Sequence, residues 1–132
     1  MPYRQFVAQE LATLLGAVSH HDRIQIVQEL AKGEQEVKLL QQKLGISHSR
    51  VSQHLSLLRS HKIVAERRVG RRVIYHLVVP ELAQWLLEAL QFIEFRLQRS
   101  DELLSAVETA RNLWQTDEDA PSLLKSPSQA DV

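Results

Sequence analysis

The sequence predicts a mainly α chain with a small β-hairpin, in the order α-α-α-α-β-β-α. Three observations predict it. Apolar residues recur at three-four spacing through residues 3–58 and again from Leu82 onward, the spacing of helices that lie on a core. Two strand-like runs, residues 63–68 and 72–76, flank Val69-Gly70-Arg71, where Gly70 can supply the positive φ of a tight hairpin turn. Four arginines, Arg67, Arg68, Arg71 and Arg72, crowd the tip of that hairpin.

The elements follow in order. Over residues 3–18, Val7, Leu11, Leu14 and Val18 form one helical stripe, widened by Phe6 and Leu15. Ser19 breaks the run and is expected to cap a second helix over 20–32, with Ile24, Ile26, Val27 and Leu30 inward and Gly33 at its end. Val37, Leu40 and Leu44 mark a short third helix stopped at Gly45. Ser47 then caps a fourth, whose inward stripe is Val51, Leu55 and Leu58. Two helices joined by about four residues with a glycine at the turn make a helix-turn-helix. The basic hairpin behind it makes that unit winged.

Pro80 suits the first turn of the last long helix, whose stripe is Leu82, Leu86, Ala89, Ile93 and Leu97, broadened by Trp85, Leu90 and Phe92. So wide a stripe either covers the domain's own core or is shared between two chains. The second reading is favoured, because an unpaired apolar face would be an exposed patch. A homodimer through the first and last helices is therefore expected, with Val7, Leu11, Leu14, Leu82, Leu86, Ala89 and Ile93 at its interface. Ser100 either caps or lies within a further helical stretch carrying Leu103, Leu104, Val107, Ala110 and Trp114. From Gln115 the chain turns acidic and then Ser/Pro-rich, and should be disordered. The expected organisation is a winged helix-turn-helix and dimerisation domain over 1–114 and a tail over 115–132.

The fourth helix carries the chemistry. Opposite its apolar stripe sit Ser49, Gln53 and Ser56, with Ser52 at the edge and His48 and Arg50 in the first turn. Solvated helix faces usually hold Glu and Lys; short groups that donate and accept can meet base edges in a major groove. An ordinary solvated face could look similar, and charge decides between the two. Residues 47–76 hold seven Lys/Arg against one acid, Glu66, a local charge of +6, although the 16 basic and 16 acidic residues of the whole chain cancel. Residues 1–46 balance at five of each sign, and residues 77–132 carry four basic and ten acidic groups. The neutral average hides one basic patch on the segment suspected of reading double-stranded DNA.

Other chemistry is thin. There is no cysteine, which excludes disulfides, thiolate metal sites and thiol redox switching. The amino terminus lacks a signal pattern and no apolar run approaches membrane-spanning length, so a cytoplasmic protein without membrane contact is expected. No catalytic constellation, phosphate loop or HExxH motif is present, so no enzyme, no cofactor and no metal is expected. The six histidines read as polar, capping or DNA-contacting groups, with a histidine metal cluster as the alternative; His20 and His21 adjoin Asp22, but neighbours on a helix point about 100° apart and rarely share a metal.

The stretch LGAVSHHDRIQIVQEL, followed by GEQEVKLLQQKLGISHSRVSQHLSLLRSHKIVAERRVGRRVIYHL, resembles the ArsR–SmtB family of bacterial winged-helix transcriptional repressors, over residues 11–95. The resemblance implies a homodimer, a palindromic operator and repression relieved by an inducer. It also implies base reading by His48, Ser49, Ser52 and Gln53, the face picked out by the helical wheel. The family's sensing chemistry does not carry over: Glu36 and Lys38 flank Val37 where metal-sensing members have cysteines, and no histidine occurs from residue 81 to 114. The small-molecule effector is left unnamed; Trp85, Phe92 and Phe95 either line an apolar pocket between subunits or form interface core. The DNA-binding set is thus His48, Ser49, Arg50, Ser52, Gln53, Ser56, Arg67, Arg68, Arg71 and Arg72. The alternative, a winged-helix dimer that contacts other proteins, would call for an acidic or apolar wing.

Overall fold

The computed structural model describes residues 2–97 and 101–115. In chain order it contains α1 (Pro2–Val18), α2 (His21–Ala31), β1 (Gln35–Glu36), α3 (Val37–Leu44), α4 (His48–Ser60), β2 (Val64–Val69), β3 (Arg72–Leu77), α5 (Glu81–Glu88), α6 (Leu90–Arg96) and α7 (Asp101–Gln115). The chain divides into two compact units, Met1–Pro80 and Glu81–Val132. Ser100 and residues 116–132 of the expected tail lie outside the described residues, while Gln115, expected to begin the tail, is the last residue of α7.

The core of the first unit is where the helical spacing puts it. Ile26 and Val27 of α2, Leu40 of α3, and Val51, Leu55 and Leu58 of α4 are all 0% exposed. From α1 only the last turn, Ala17 and Val18, is buried, which leaves Phe6, Val7, Leu11 and Leu14 exposed. The second helix starts one residue later than expected. His20, not Ser19, is the N-cap: its backbone is extended and its Nδ1 accepts from the Asp22 N–H at 3.0 Å. An imidazole lone pair satisfies that orphan donor as a serine oxygen would.

Local chemistry shapes the helix-turn-helix and wing. Gly45 closes α3 in the left-handed conformation at φ 69°, where a side chain would be strained. Ser47 Oγ then accepts from the Arg50 N–H at 3.2 Å and opens α4. At its far end, Lys62 sits at φ 60° while the Lys62 and Ile63 N–H groups donate back to the Arg59 and Leu58 carbonyls. This is a Schellman ending with lysine at the position glycine usually takes, and it turns the chain directly into the wing. β2 and β3 pair antiparallel from Val64↔Leu77 to Val69↔Arg72, so the loop is the two residues Gly70-Arg71, with Gly70 at φ 64°.

One strand was not expected. β1 adds to the free edge of β3 with Gln35↔Tyr75 and Glu36↔Ile74, giving the sheet order β1-β3-β2. Gln35 is anchored by donating from Nε2 to the Glu29 carbonyl at 2.7 Å. The edge strand therefore begins four residues past the end of α2 and ends at Glu36, the N-cap of α3.

The second unit corrects the single long helix expected from Leu82 onward. α5 ends at Glu88 and α6 begins at Leu90, with Ala89 still in the right-handed region at ψ −17°. The Phe92 N–H donates to the Ala89 carbonyl three residues back, a tighter turn than the α-helix makes, and the break involves neither proline nor glycine. Ala83 and Leu90 are buried, while Trp85, Phe92, Ile93 and Phe95 are exposed. In α7 the expected stripe is only partly sheltered, since Leu104, Val107, Ala110 and Trp114 are half-buried and Leu103 is exposed; Arg111 pairs with Glu94 of α6.

Removing the cap at the head of α4 tests how much the local signal contributes. Ser47→Ala should lower the unfolding free energy by about 1 kcal/mol, and Ser47→Gly by only a few tenths. Urea titration checks this, with the midpoint shifting and the slope unchanged.

Candidate nucleic-acid interface

Burial of Val51, Leu55 and Leu58 decides which face of α4 meets solvent. His48, Ser49, Arg50, Gln53 and Ser56 are exposed and Ser52 is half-buried, so all six expected helix residues lie at or beside the surface. α4 contains no acidic residue. Between α4 and the wing runs an open groove of ≈ 560 Å³, where His48, Ser52, Arg59, Arg68, Arg71 and Arg72 line the wall together with the acids Glu36 and Glu66. Helix and wing thus present hydrogen-bonding groups and cations to one concave surface.

The wing arginines are not equivalent, and the sequence did not show this. Arg67 lies outside the groove lining and makes a two-pronged bond to Glu34, from Nε at 2.7 Å and Nη2 at 2.9 Å. That bond holds the Glu34 carboxyl below its usual range and raises the Arg67 guanidinium. Arg72 pairs with Glu36, and Arg59 pairs with Glu66 at 2.8 Å. Arg68 and Arg71 make no ion pair among the described residues. Glu34 and Glu36 reach the wing because β1 pairs with β3. Two acids spaced two apart before a helix were visible in the sequence, but their register against the wing was not. Tyr75, beside this edge, has its phenol pushed up by burial and by its hydrogen bond to Glu66.

A second polar cluster lies between the start of α2 and the inward edge of α4. Asp22 is 2% exposed. Around it are His21 Nδ1 at 3.1 Å, His54 Nε2 at 3.4 Å, Arg50 Nη2 at 3.6 Å and His20 Nδ1 at 3.9 Å. The His20 ring stacks on His21 and tilts against His54, with centroids 4.6 Å apart in each case. Arg23 donates from Nε to the Ala17 carbonyl at 2.7 Å and lies with Nη1 3.4 Å from His54 Nδ1. Arg50, expected to face DNA, therefore also leans toward Asp22. His54 comes from 31 residues downstream of Arg23, so no local spacing could reveal this cluster.

Residues 20–66 match the model of the bacterial regulatory protein arsR family. The biofilm growth-associated repressor of Xylella fastidiosa (strain Temecula1) is 40% identical over 86 residues, 65% of this chain and 75% of that protein. The chain belongs to the ArsR family. Among solved ArsR-like structures, NolR from Sinorhizobium fredii superposes with a TM-score of 0.63 at 33% identity, covering 70% of this chain and 92% of that one. The transcriptional repressor BigR from Xylella fastidiosa gives 0.62 at 33% identity, covering 69% and 93%. The ArsR match spans α2 through the first residues of β2, the segment that holds the helix-turn-helix.

The Asp22 cluster makes a pH prediction. Burial pushes the His54 imidazole below its ordinary value, aided by His20 and Arg23 and opposed by Asp22. A depressed folded value means that folding favours the neutral ring. This contribution is present above about pH 6.5, the ordinary imidazole value, and is lost as pH falls through the lower folded value. Unfolding midpoints should thus drop on acidification more in the wild type than in His54→Gln, and equal drops in both would show that His54 does not contribute.

Proposed function

We infer that the protein is a homodimeric, sequence-specific DNA-binding transcriptional repressor that acts in the cytoplasm on an inverted-repeat operator. The observation that carries this reading is the acid-free exposed face of α4 beside an arginine-lined groove. Membership in a family of bacterial regulatory proteins supports it, and a wing of exposed arginines favours nucleic acid over a protein partner. No helix among the described residues is long and apolar enough to cross a membrane.

In this reading α4 enters the major groove. Ser49 and Gln53 meet base edges, with His48 and Ser52 toward the wing side. Arg68 and Arg71 hold phosphate or the minor-groove rim as they stand, whereas Arg67 and Arg72 must first leave Glu34 and Glu36. Arg50 and Ser56 extend the contact along the helix. Dimerisation uses Val7, Leu11 and Leu14 of α1, which are 61%, 51% and 37% exposed, the half-buried Leu82 and Leu86 of α5 and Ala89 just after it, and Ile93 of α6. Trp85, Phe92 and Phe95 are exposed in the protomer and are assigned to the same interface.

Two sets of variants test this. Binding to DNA upstream of the protein's own gene is followed by fluorescence anisotropy at several salt concentrations. Arg71→Ala should weaken binding to every sequence and reduce the salt slope by about 1, whereas Gln53→Ala should erode discrimination by about 1–3 kcal/mol for each base edge it no longer reads. Glu36→Gln should do the opposite of Arg71→Ala, since it frees Arg72: tighter binding and a steeper slope. Equal affinity for operator and scrambled duplex in the wild type would defeat the sequence-specific reading.

Leu11→Glu and Ile93→Glu address the dimer. Each places a charge on a face assigned to the partner, so sedimentation should shift from dimer toward monomer. The two recognition helices of an intact dimer should protect half-sites centred about 34 Å apart, one turn of duplex. A wild type that sediments as a monomer yet binds its operator tightly would overturn the assignment.

A further inference from the structure

We propose that His20, Asp22 and His54 form a binding site for a divalent first-row metal, zinc foremost, that joins the start of α2 to the recognition helix. One ligand atom from each residue lies within 4.8 Å of the other two. Bonds of about 2.0–2.1 Å in a tetrahedral zinc site put ligands about 3.3 Å apart. Asp22 Oδ2 stands 3.4 Å from His54 Nε2 and 3.9 Å from His20 Nδ1, within reach of that arrangement by small ring rotations.

The carboxylate is the strongest sign. Asp22 is buried, with its side chain 3% exposed, and its Oδ2 accepts no hydrogen bond, having only the longer ion-pair contacts to His54 Nε2 at 3.4 Å and Arg50 Nη2 at 3.6 Å. A buried carboxylate oxygen is costly to leave so, and a coordinating cation is one of few groups that can satisfy it. Two imidazoles and one carboxylate are a donor set suited to zinc, and a site with three protein ligands leaves a fourth position. That position falls to water or to His21, whose Nδ1 lies 3.1 Å from Asp22 Oδ1 and whose side chain is 80% exposed.

Binding exchanges interactions already present. His20 Nδ1 gives up the Asp22 N–H for the metal. His54 takes the Nδ1–H tautomer, so its 3.4 Å approach to Arg23 is released, while Arg23 stays fixed by its bond to the Ala17 carbonyl. Arg50, 57% exposed at its side chain, swings away from Asp22 into solvent. Each of these interactions is weak by itself, and coordination of a divalent ion by three ligands outweighs them. The cysteine-free sequence makes this an N/O site with no thiolate.

The test uses the full-length protein, freed of metal by a chelator, with zinc titrated against a chromophoric competitor. One zinc per chain is expected, with a rise in unfolding temperature that grows with zinc concentration. His20→Ser is the informative variant, because serine keeps an N-cap oxygen while removing the imidazole. His20→Ser and His54→Gln should each weaken zinc by at least about 100-fold, whereas His61→Gln, an exposed histidine outside the cluster, should leave it unchanged. Cobalt in place of zinc should give intense four-coordinate ligand-field bands in the wild type that vanish in His20→Ser. Zinc affinity unaffected by both cluster variants, or no stoichiometric zinc uptake by the folded wild type, overturns the proposal.

Discussion

Burial of three side chains on α4 orders the rest of the molecule. Val51, Leu55 and Leu58 are fully withdrawn from water. At about 1.5–3 kcal/mol per large aliphatic side chain, their burial contributes on the order of 5–9 kcal/mol, as an upper estimate. A domain's net stability is only about 5–15 kcal/mol. Turning α4 by one residue, about 100°, would forfeit most of this contribution. No surface ion pair could compensate, since exposed pairs are worth about 0–1 kcal/mol each. The orientation of Ser49 and Gln53 is therefore a consequence of the core, and the polar face is free to vary chemically without disturbing the helix that presents it.

The same hierarchy explains what could be read from the sequence. Elements specified by a repeating apolar pattern and a local cap were legible: α2, α3 and α4 fall where Ile26, Val27, Leu40 and the α4 stripe put them, and Gly70 marks the wing loop. β1 was not legible, because two residues have no periodicity and Gln35 and Glu36 become a strand only when β3 offers its edge. The break at Ala89 was hidden for the opposite reason. The stripe from Leu82 to Leu97 is continuous, alanine is a good helix former, and nothing local demands a tighter turn. His20 replaced Ser19 as the cap through a side-chain bond that propensity does not rank.

Within the candidate interface, the sequence placed the residue types on the surface and could not show their partners. Every expected helix residue is at or near the surface, and all four wing arginines are exposed. Counting charges along the chain set residues 47–76 apart as basic, yet the structure returns two acids to that patch from outside it. Glu34 and Glu36 are more than 30 residues from Arg67 and Arg72, and only the β1–β3 pairing brings them there. The Asp22 cluster follows the same logic, with three groups from one turn of α2 meeting His54 from another helix. Long-range pairing is where a single sequence runs out.

Those returned acids change what the wing can do. The Arg67–Glu34 pair is exposed and two-pronged, so its local worth is small and a phosphate oxygen can replace the carboxylate at little net cost. The driving force for that exchange lies elsewhere. A duplex releases condensed counterions for each phosphate neutralised, and an isolated carboxylate has no such atmosphere to release. In the proposed DNA-binding function, Glu34 and Glu36 are light placeholders, paired with Arg67 and Arg72 until phosphate takes their place. They also yield to a polyanion of high charge density. On that proposal the net neutrality of the chain is no obstacle to DNA, because exposed charges more than about 10 Å away are screened and only the nearest acids set the balance.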